Sequence, residues 1–483
     1  MVSWTEKITG VFDPDRALQA AMGTLIGAAE FKHTLEWGTE RWSPGKALKL
    51  LLACYVGARN TGADVRVEEM IRQFRHILGD ENIQLTIMTL DPELSARYFR
   101  TVRQIQLPNV FPKFLYDECA KHHGVVACEG SMFKSKFATA LSTMMAGALG
   151  MANAESKLSI GYGAEAGEMT RSLREFVQKR CKHSLVICRN EPSRTILENL
   201  GIRTAPGTDT AWTFEPAPLE RGAKLLRAGG WDGKTEILAV GPIHPFCWPV
   251  KPDLMKATAR VLAGQFKEEH YKSIYFHHRS EEGEKKYRAY LAGLARAVTA
   301  FAKERPVFVA LIGMERLDRR ACVDLAALLP QKPPLFVSDS YDMYDLVSIL
   351  RNVSYLVSSR FHAIVTSMPA QIPSAGVTMD ERICNLMNDR GHADLFLEVD
   401  DPKLADRLLE ILRILHRDSD RIADDIGRSI PKQLRLMGEM GITFADEVAR
   451  VYPDFPRRNL PKSWENYLPP ISRSLSQLLE VYA

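Results

Sequence analysis

The residues Leu48–Val56 form one nearly uninterrupted apolar run, LKLLLACYV, with a single charged side chain. Such a run is typical of a strand that is buried on both faces of a parallel sheet. A glycine-bearing turn and a helical pattern over residues 65–78 follow it. Similar apolar runs recur at residues 84–90, 125–131, 157–163 and 184–190, with helical patterns between most of them. This alternation predicts a doubly wound α/β domain with a parallel sheet.

The alternation pauses between residues 214 and 235, where prolines and glycines concentrate. We interpret this stretch as a linker. Apolar runs resume at residues 236–242, 273–278, 307–313, 335–340 and 354–359. The pattern predicts a helical extension (1–45), a first α/β domain (46–215), a second α/β domain (236–429) and a helical tail (430–483) that packs back on the first domain.

Composition excludes several classes of protein. The net charge of +4 over 483 residues, without a long basic run, argues against a nucleic-acid partner. Eight scattered cysteines without a CxxC pair fit reduced thiols in a cytoplasmic protein. The N-terminus lacks the pattern of a signal peptide, and residues 137–154 read as a buried helix. We expect a cytoplasmic protein whose membrane contact, if any, is peripheral at the inner face.

The first candidate site is the sequence GARNTGAD, which follows the first strand and precedes a helix. Gly57 and Gly62 permit close approach of a ligand to the backbone, and Asn60 can donate and accept hydrogen bonds. The start of a helix adds unpaired N–H groups that attract an anion or a hydroxyl. The alternative is an ordinary turn between a strand and a helix.

Two further sequences, CEGSMF and GYGAEAG, bring Gly130, Ser131 and Gly161 to predicted strand ends of the same sheet. Arg189 follows the fifth strand in ICRNEPSRTILENLGI, and Asp209 lies in GTDTAW. Arg189 is a candidate cation for ligand binding at this edge of the sheet. The alternative is a surface arginine that forms a salt bridge. Asp209 is placed to orient Arg189 or a sugar hydroxyl, or to cap a turn.

The second domain carries the sequence SSRFHA at the end of its strand near residue 357. Arg360 presents a planar fork of donors to a carboxylate or phosphate, and His362 can carry a proton near neutral pH. The alternative is an arginine that is paired to a nearby glutamate and a histidine whose hydrogen bonds are satisfied in a turn. His244 and His278 also follow apolar runs, but adjacent histidines at 277–278 point to opposite faces, so no metal site is expected.

Taken in order, these sequences resemble the polysaccharide pyruvyl transferases over roughly residues 50–395. The resemblance is strongest in the Arg-Asn-Glu-x-Ser block at residues 189–193 and around Arg360 and His362. It departs from the family at Ala63, at Glu129, where the family has a glycine-rich strand end, and at Arg382, where the family often has lysine.

The resemblance implies two facing Rossmann-like domains, as in GT-B glycosyltransferases, with the acceptor at 46–215 and the donor at 236–429. It implies transfer of the enolpyruvyl group of phosphoenolpyruvate onto two hydroxyls of a sugar in a glycan, or of a lipid-linked saccharide, to form a pyruvate ketal. We expect Arg189, Arg360 and His362 to carry the chemistry. No metal and no cofactor other than the donor substrate is required.

Two alternatives use the same fold. A GT-B glycosyltransferase with a nucleotide sugar would need an acidic clamp for ribose late in the second domain, and Glu381 is the candidate. A sugar-binding protein without activity is the other; the joint presence of Arg189, Arg360 and His362 argues against it.

Overall fold

The computed structural model describes residues 13–38, 40–263 and 274–482. Its first domain is built on a parallel sheet of seven strands in the order β3-β2-β1-β4-β5-β6-β7. These strands are β1 (Leu48–Val56), β2 (Ile83–Thr89), β3 (Arg103–Gln106), β4 (Gly124–Ala127), β5 (Leu158–Ala164), β6 (Leu185–Cys188) and β7 (Arg203–Pro206). β1 lies inside the sheet between β2 and β4, as its continuous apolar run predicts.

Helices cover both faces of this sheet. They are α1 (Pro14–Thr34), α2 (Thr61–Leu78), α3 (Pro92–Ser95), α4 (Pro112–Lys121), α5 (Thr139–Ala154), α6 (Arg171–Arg180) and α7 (Glu191–Glu198). Asn60 caps α2 by accepting a hydrogen bond from the amide of Ala63 at 3.3 Å, and Asn190 caps α7 in the same way. The buried helix expected over 137–154 is confirmed as α5, against which α1 packs.

The second domain contains a parallel sheet of six strands in the order β12-β11-β8-β13-β14-β15. The strands of this half are β8 (Ile237–Gly241), β9 (Lys251–Pro252), β10 (Tyr275–Phe276), β11 (Phe308–Gly313), β12 (Leu335–Val337), β13 (Tyr355–Ser358), β14 (Ser374–Thr378) and β15 (Phe396–Glu398). Its helices are α8 (Leu219–Ala228), α9 (Leu254–Ala263), α10 (Glu281–Glu304), α11 (Asp318–Leu328), α12 (Met343–Leu350), α13 (Phe361–Ser367) and α14 (Glu381–Asp389). Two parallel-sheet α/β domains are therefore confirmed.

Three helices complete the chain: α15 (Leu404–Arg417), α16 (Ser419–Val451) and α17 (Arg473–Tyr482). The long α16 packs back on the first domain, where Phe444 stacks on Phe74 with ring centroids 4.3 Å apart. Gln433 and Glu447 of the same helix bond to Thr208 and Arg203. The expected return of the tail to the first domain is confirmed. None of the helices in the described ranges is long and apolar enough to cross a membrane.

The structure corrects the predicted strand at residues 273–278. Its described part forms only β10, which pairs antiparallel with β9 in a separate two-stranded ribbon instead of joining the second sheet. Residue 273 lies outside the described residues. The edge strands β3 and β7 were missed because they are short, carry charged residues and are only partly buried. The stretch interpreted as a linker contains α8.

The two domains are in direct contact at the start of α2. The amide of Thr61 donates to the carbonyl of Met314 at 2.8 Å, and Nε of Arg59 donates to the carbonyl of Ser338 at 2.7 Å. These bonds bring the carboxyl ends of the β1 and β11 strands together. The ends of parallel strands are where open α/β sheets bind ligands.

Candidate functional site

A cavity of about 70 Å³ lies between the carboxyl ends of the two sheets. We call it the cationic cavity, because four arginines and a histidine line it. Its lining residues are Asn60, Gly62, Ala63, Arg66, Glu129, Gly130, Ser131, Arg189, Met314, Arg360, Phe361, His362 and Arg382. The structure thus brings together seven of the residues singled out from the sequence: Asn60, Gly62, Gly130, Ser131, Arg189, Arg360 and His362.

Asp209 is the buried anchor of one wall. Its Oδ2 lies 3.1 Å from Nε of Arg66, 3.0 Å from Nη1 of Arg189 and 3.3 Å from Nε2 of His362. Burial opposes its ionisation, but Arg66, His362 and Arg189 together hold the pKa of Asp209 well below its usual range. Asp209 is therefore a fixed negative charge, and it orients Arg189 as the sequence suggested.

Arg189 is held from a second side by Glu165, which accepts a hydrogen bond from its Nη2. The same carboxyl group lies 3.2 Å from Nζ of Lys134. Burial lowers the pKa of Arg189 to about 10, and the neighbouring Arg66 acts in the same direction. Arg189 stays cationic at neutral pH, but its described bonds go to protein carboxylates.

Arg360 is clamped by two buried acids at the other side of the cavity. Its Nε lies 2.9 Å from Oδ2 of Asp318, and its Nη2 lies 2.6 Å from Oε2 of Glu315. Burial works against the charge, yet the two carboxylates hold the pKa of Arg360 above its usual value. None of its described hydrogen bonds uses Nη1, so that edge of the guanidinium remains for a ligand.

Arg382 repeats this arrangement at the start of α14. Its Nε and Nη2 bond to Asp380 at 2.9 Å and 2.6 Å, and its guanidinium lies 4.7 Å from the centre of the Phe137 ring. Its described hydrogen bonds also leave Nη1 unused. Two arginines therefore present similar edges to one small cavity, as recognition of a small dianion requires.

His362 projects from the first turn of α13 toward the start of α2. A Cβ atom built on Gly62 would lie 2.2 Å from Nδ1 of His362, so the close approach depends on glycine. Burial lowers the pKa of His362, although Asp209 acts to raise it. The balance of these effects favours the neutral imidazole.

A larger cavity of about 170 Å³ adjoins the cationic cavity. We call it the apolar cavity, because aromatic and aliphatic side chains such as Phe111, Phe137, Leu141 and Trp248 dominate its wall. The two cavities share five lining residues, which are Asn60, Glu129, Ser131, Arg360 and Arg382. A molecule in one cavity can therefore contact a molecule in the other.

A match to a known protein family covers the segment that contributes several residues of the site. Residues 152–381 match the family model of the polysaccharide pyruvyl transferases. The resemblance seen in the sequence is thereby confirmed over this segment, which contains Arg189, Asp209, Arg360 and His362. The match supports the prediction that this chain is a transferase. No curated protein sequence matches the chain.

Solved structures match the fold at low sequence identity. HepE of Anabaena in complex with UDP-glucose has a TM-score of 0.53 and 11% identity, over 83% of this chain and 100% of that chain. A UDP-GlcNAc 2-epimerase from Neisseria meningitidis bound to UDP-GlcNAc has a TM-score of 0.47 and 10% identity, over 78% of this chain and 94% of that chain. HepE supports the expected GT-B-like architecture.

Several residues that the sequence analysis assigned to the site do not lie at the cleft between the domains. Gly161 is inside β5 and packs against Met132 and Val186 instead of ending a strand at the cavity. Gly57 forms the turn after β1, with φ of 81°, and a side chain there would meet Thr89 and Asp91. His278 is exposed and lines neither of the two cavities. These positions correct the expectation that each lies on the cleft.

His244 lines a third, smaller cavity, whose wall also includes Asp318 and Arg360. Its Nε2 lies 3.4 Å from Glu284, and its ring stacks on Tyr287 at 4.0 Å. Glu381 does not line either main cavity; it accepts a hydrogen bond from Nζ of Lys134 at 2.8 Å. Among the described residues, no group of His, Cys, Asp or Glu side chains is arranged to hold a metal ion.

Sequence reasoning missed the acids and the additional cations of the site. Arg66 lies inside α2, Glu165 in the GYGAEAG sequence and Asp318 at the start of α11. For Arg66 and Glu165 the available signal was a charged residue within an apolar or glycine-rich context, whereas Asp318 lies among charged residues and gave no such signal. Arg382 and Glu129 were noticed only as departures from the family.

Proposed function

We propose that this chain transfers the enolpyruvyl group of phosphoenolpyruvate onto two hydroxyls of one sugar of a glycan or glycan precursor, forming a pyruvate ketal. The observation that supports this most is the cationic cavity. Arg360 and His362 from the second domain meet Arg189 and Asp209 from the first domain there. The family match over residues 152–381 supports the same reaction.

Phosphoenolpyruvate carries a carboxylate and a phosphate on a three-carbon frame, so its site needs more than one cation. Arg360 and Arg382 are oriented by Asp318, Glu315 and Asp380 so that their Nη1 edges are left for a ligand. An arginine whose rotamer is already fixed loses little entropy when it binds. We assign the two anionic groups of the donor to these arginines, with Arg189 adding positive potential from the opposite wall.

The reaction requires one proton at C3 of the donor and the removal of two hydroxyl protons from the acceptor. Protonation turns the methylene into a methyl group and leaves positive charge at C2. One acceptor oxygen forms a bond to C2; the second then displaces phosphate, which leaves with its bonding electron pair. His362 is the proposed proton carrier. A bound phosphate dianion raises its pKa, so the imidazole becomes charged as the donor arrives.

The acceptor sugar is assigned to the apolar cavity. A wall of aromatic and aliphatic side chains with a few polar groups near the shared boundary is typical of a small-molecule site. A sugar that lies there can direct two neighbouring hydroxyls at the donor across Asn60 and Ser131.

Calorimetric titration of the chain with phosphoenolpyruvate and, separately, with UDP-glucose tests the donor. We expect binding of phosphoenolpyruvate that Arg382→Ala weakens, and little binding of UDP-glucose. Incubation with phosphoenolpyruvate and sugar acceptors should release inorganic phosphate. Selective binding of the nucleotide sugar, with no phosphate release from phosphoenolpyruvate, would assign the chain to nucleotide-sugar transfer instead.

A further inference from the structure

Glu129 is a half-buried glutamate whose carboxyl group lies against the backbone amide of Gly130 and keeps one oxygen without a hydrogen-bond partner in the described part of the chain. It follows β4, and its Oε1 is buried with no hydrogen-bond partner among the described residues. Glu315, the other carboxylate in the wall of the apolar cavity, lies 2.6 Å from Nη2 of Arg360. A buried carboxylate oxygen without a partner is costly, and such groups concentrate at sites that use them.

Its position is at the boundary of the two cavities. Glu129 lines the cationic cavity and the apolar cavity together with Ser131, Arg360 and Arg382. A carboxylate at this boundary lies between the site assigned to the donor and the site assigned to the acceptor. It can therefore contact an acceptor hydroxyl that is directed at the donor.

The chemistry requires such a group. In the proposed reaction the proton carrier supplies a proton to C3, while each acceptor hydroxyl must lose a proton as its oxygen bonds to C2. A neutral hydroxyl is a weak nucleophile, so a base within hydrogen-bonding reach accelerates the step. His362 cannot be the acid at C3 and the base at the hydroxyl in the same step.

We propose that Glu129 is the general base that takes the proton of the acceptor hydroxyl as its oxygen adds to C2. The inference rests on the proposed function. The carboxylate becomes a carboxylic acid in this step and passes its proton to the departing phosphate or to solvent. The net change is one proton gained at C3 and two lost from the hydroxyls, with the remaining proton leaving with phosphate.

The surroundings of Glu129 suit this role. Burial raises the pKa of its carboxyl group, whereas the guanidinium groups of Arg66, Arg189 and Arg382 act to lower it. A carboxylate whose pKa is raised takes a proton from a hydroxyl more readily than one with the ordinary value. A fully solvated glutamate would be a weaker base.

The test uses Glu129→Gln and Glu129→Ala in the full chain. The donor is phosphoenolpyruvate, and the acceptor is whichever 4-nitrophenyl hexoside the wild-type chain turns over fastest. We expect both variants to bind the donor within a few-fold of wild type by calorimetry. The rate of ketal formation should fall about 10²- to 10⁴-fold. Glu175→Gln, on the exposed face of α6, is the matched control and should keep the wild-type rate.

Chemical rescue separates a base from a structural carboxylate. Added formate should restore part of the rate of Glu129→Ala in proportion to its concentration, because it fits the space of the missing side chain. Formate should not accelerate Glu129→Gln, whose amide fills that space. Thermal unfolding of both variants checks that they are folded, and Glu129→Asp, which keeps the carboxylate, should retain more activity than either.

The outcomes separate the two proposals. An active wild type together with a Glu129→Gln variant within three-fold of its rate would overturn the role of Glu129 and leave the proposed function intact. Equal losses of donor affinity and rate would also overturn it, since Glu129 would then belong to the donor site. A wild type that binds UDP-glucose and releases no phosphate from phosphoenolpyruvate would overturn both.

Discussion

His362 of the second domain lies with its Nε2 3.3 Å from Oδ2 of Asp209 in the first domain. This contact joins the two sheets at the cavity, and it makes the position of the proposed proton carrier depend on how the domains meet. Asp209 is itself fixed by Arg66 and Arg189. The geometry proposed for catalysis is therefore complete only when both domains are in contact.

Replacing Gly62 with alanine should displace His362. The added Cβ would lie 2.2 Å from Nδ1 of the imidazole, so one of the two must move. We expect a loss of about 10²-fold or more in the rate of transfer, because small displacements of a catalytic group are costly. Gly27→Ala is the control, since a Cβ there meets nothing within 4 Å. Steady-state kinetics of both variants make the comparison; equal rates would show that the approach of His362 to α2 is unimportant.

Arg360→Lys should weaken binding of phosphoenolpyruvate. Lysine keeps a positive charge beside Asp318 and Glu315 but has no second planar edge for the donor. The lost charge-assisted contact corresponds to about 1.5–3 kcal/mol, or ~10- to 150-fold in affinity. Titration calorimetry measures the change. Arg221→Lys, at the exposed pair with Asp345, is the matched control and should bind as wild type. An unchanged affinity in Arg360→Lys would remove Arg360 from the donor site.

Arg189→Ala should lower stability as well as donor affinity. The side chain is 5% exposed and partners Asp209 and Glu165, so its removal leaves two buried carboxylates each without one of its cations. Breaking a buried ion pair typically costs about 3–5 kcal/mol. Denaturant unfolding followed by circular dichroism should show this loss. A variant as stable as wild type, with unchanged donor binding, would contradict the arrangement described here.

The sequence predicted the architecture well because the information was local. A few consecutive residues are enough to recognise each of three features: the apolar run of β1, the asparagine cap of α2 and the strand end before Arg360. The contact between Arg189 and Asp209, which are 20 residues apart, was one of three alternatives that the sequence left open for Asp209. The contact of Asp209 with His362 joins residues 153 apart, and no periodicity in the chain could indicate it.

The errors have physical causes as well. Gly161 was expected at a strand end, but β5 continues to Ala164, so that glycine lies inside the sheet. The run at 273–278 was apolar enough for a sheet strand, yet its described part pairs only with Lys251–Pro252. The pattern of apolar residues in the sequence alone did not distinguish a strand of the main sheet from a strand of a short two-stranded ribbon.

Asp64→Asn should change how stability depends on pH. Burial raises the pKa of Asp64 to about 8, with Arg59 acting to lower it and Glu129 and Glu315 acting to raise it. Between about pH 4 and pH 8 the folded chain keeps a proton that the unfolded chain has lost, so this group's contribution to the free energy of unfolding falls as pH rises. Denaturant unfolding at pH 5 and pH 8 should show a smaller decrease in the variant. Asp117→Asn, at the exposed pair with Lys113, should keep the wild-type slope; an identical slope in Asp64→Asn would mean that Asp64 is ionised in the fold.

His362 should matter more for turnover than for donor binding. His362→Ala should bind phosphoenolpyruvate within a few-fold of wild type, yet lose about 10²- to 10⁴-fold in rate, the usual contribution of a positioned acid or base. His362→Gln keeps hydrogen bonding but cannot titrate, and should be nearly as slow.

The proposed role of His362 also predicts the direction in which its pKa differs between the free enzyme and the complex. Burial lowers the pKa of His362, so kcat/KM, which reports the free enzyme, should show an ionisation below the ordinary histidine value of about 6.5. In kcat, which reports the complex, the same ionisation should move upward because the bound phosphate favours the charged imidazole. Both inflections should disappear in His362→Gln. If His362→Gln instead keeps most of the activity while His362→Ala fails through weak donor binding, the imidazole only holds a phosphate oxygen, and the proton at C3 comes from another group.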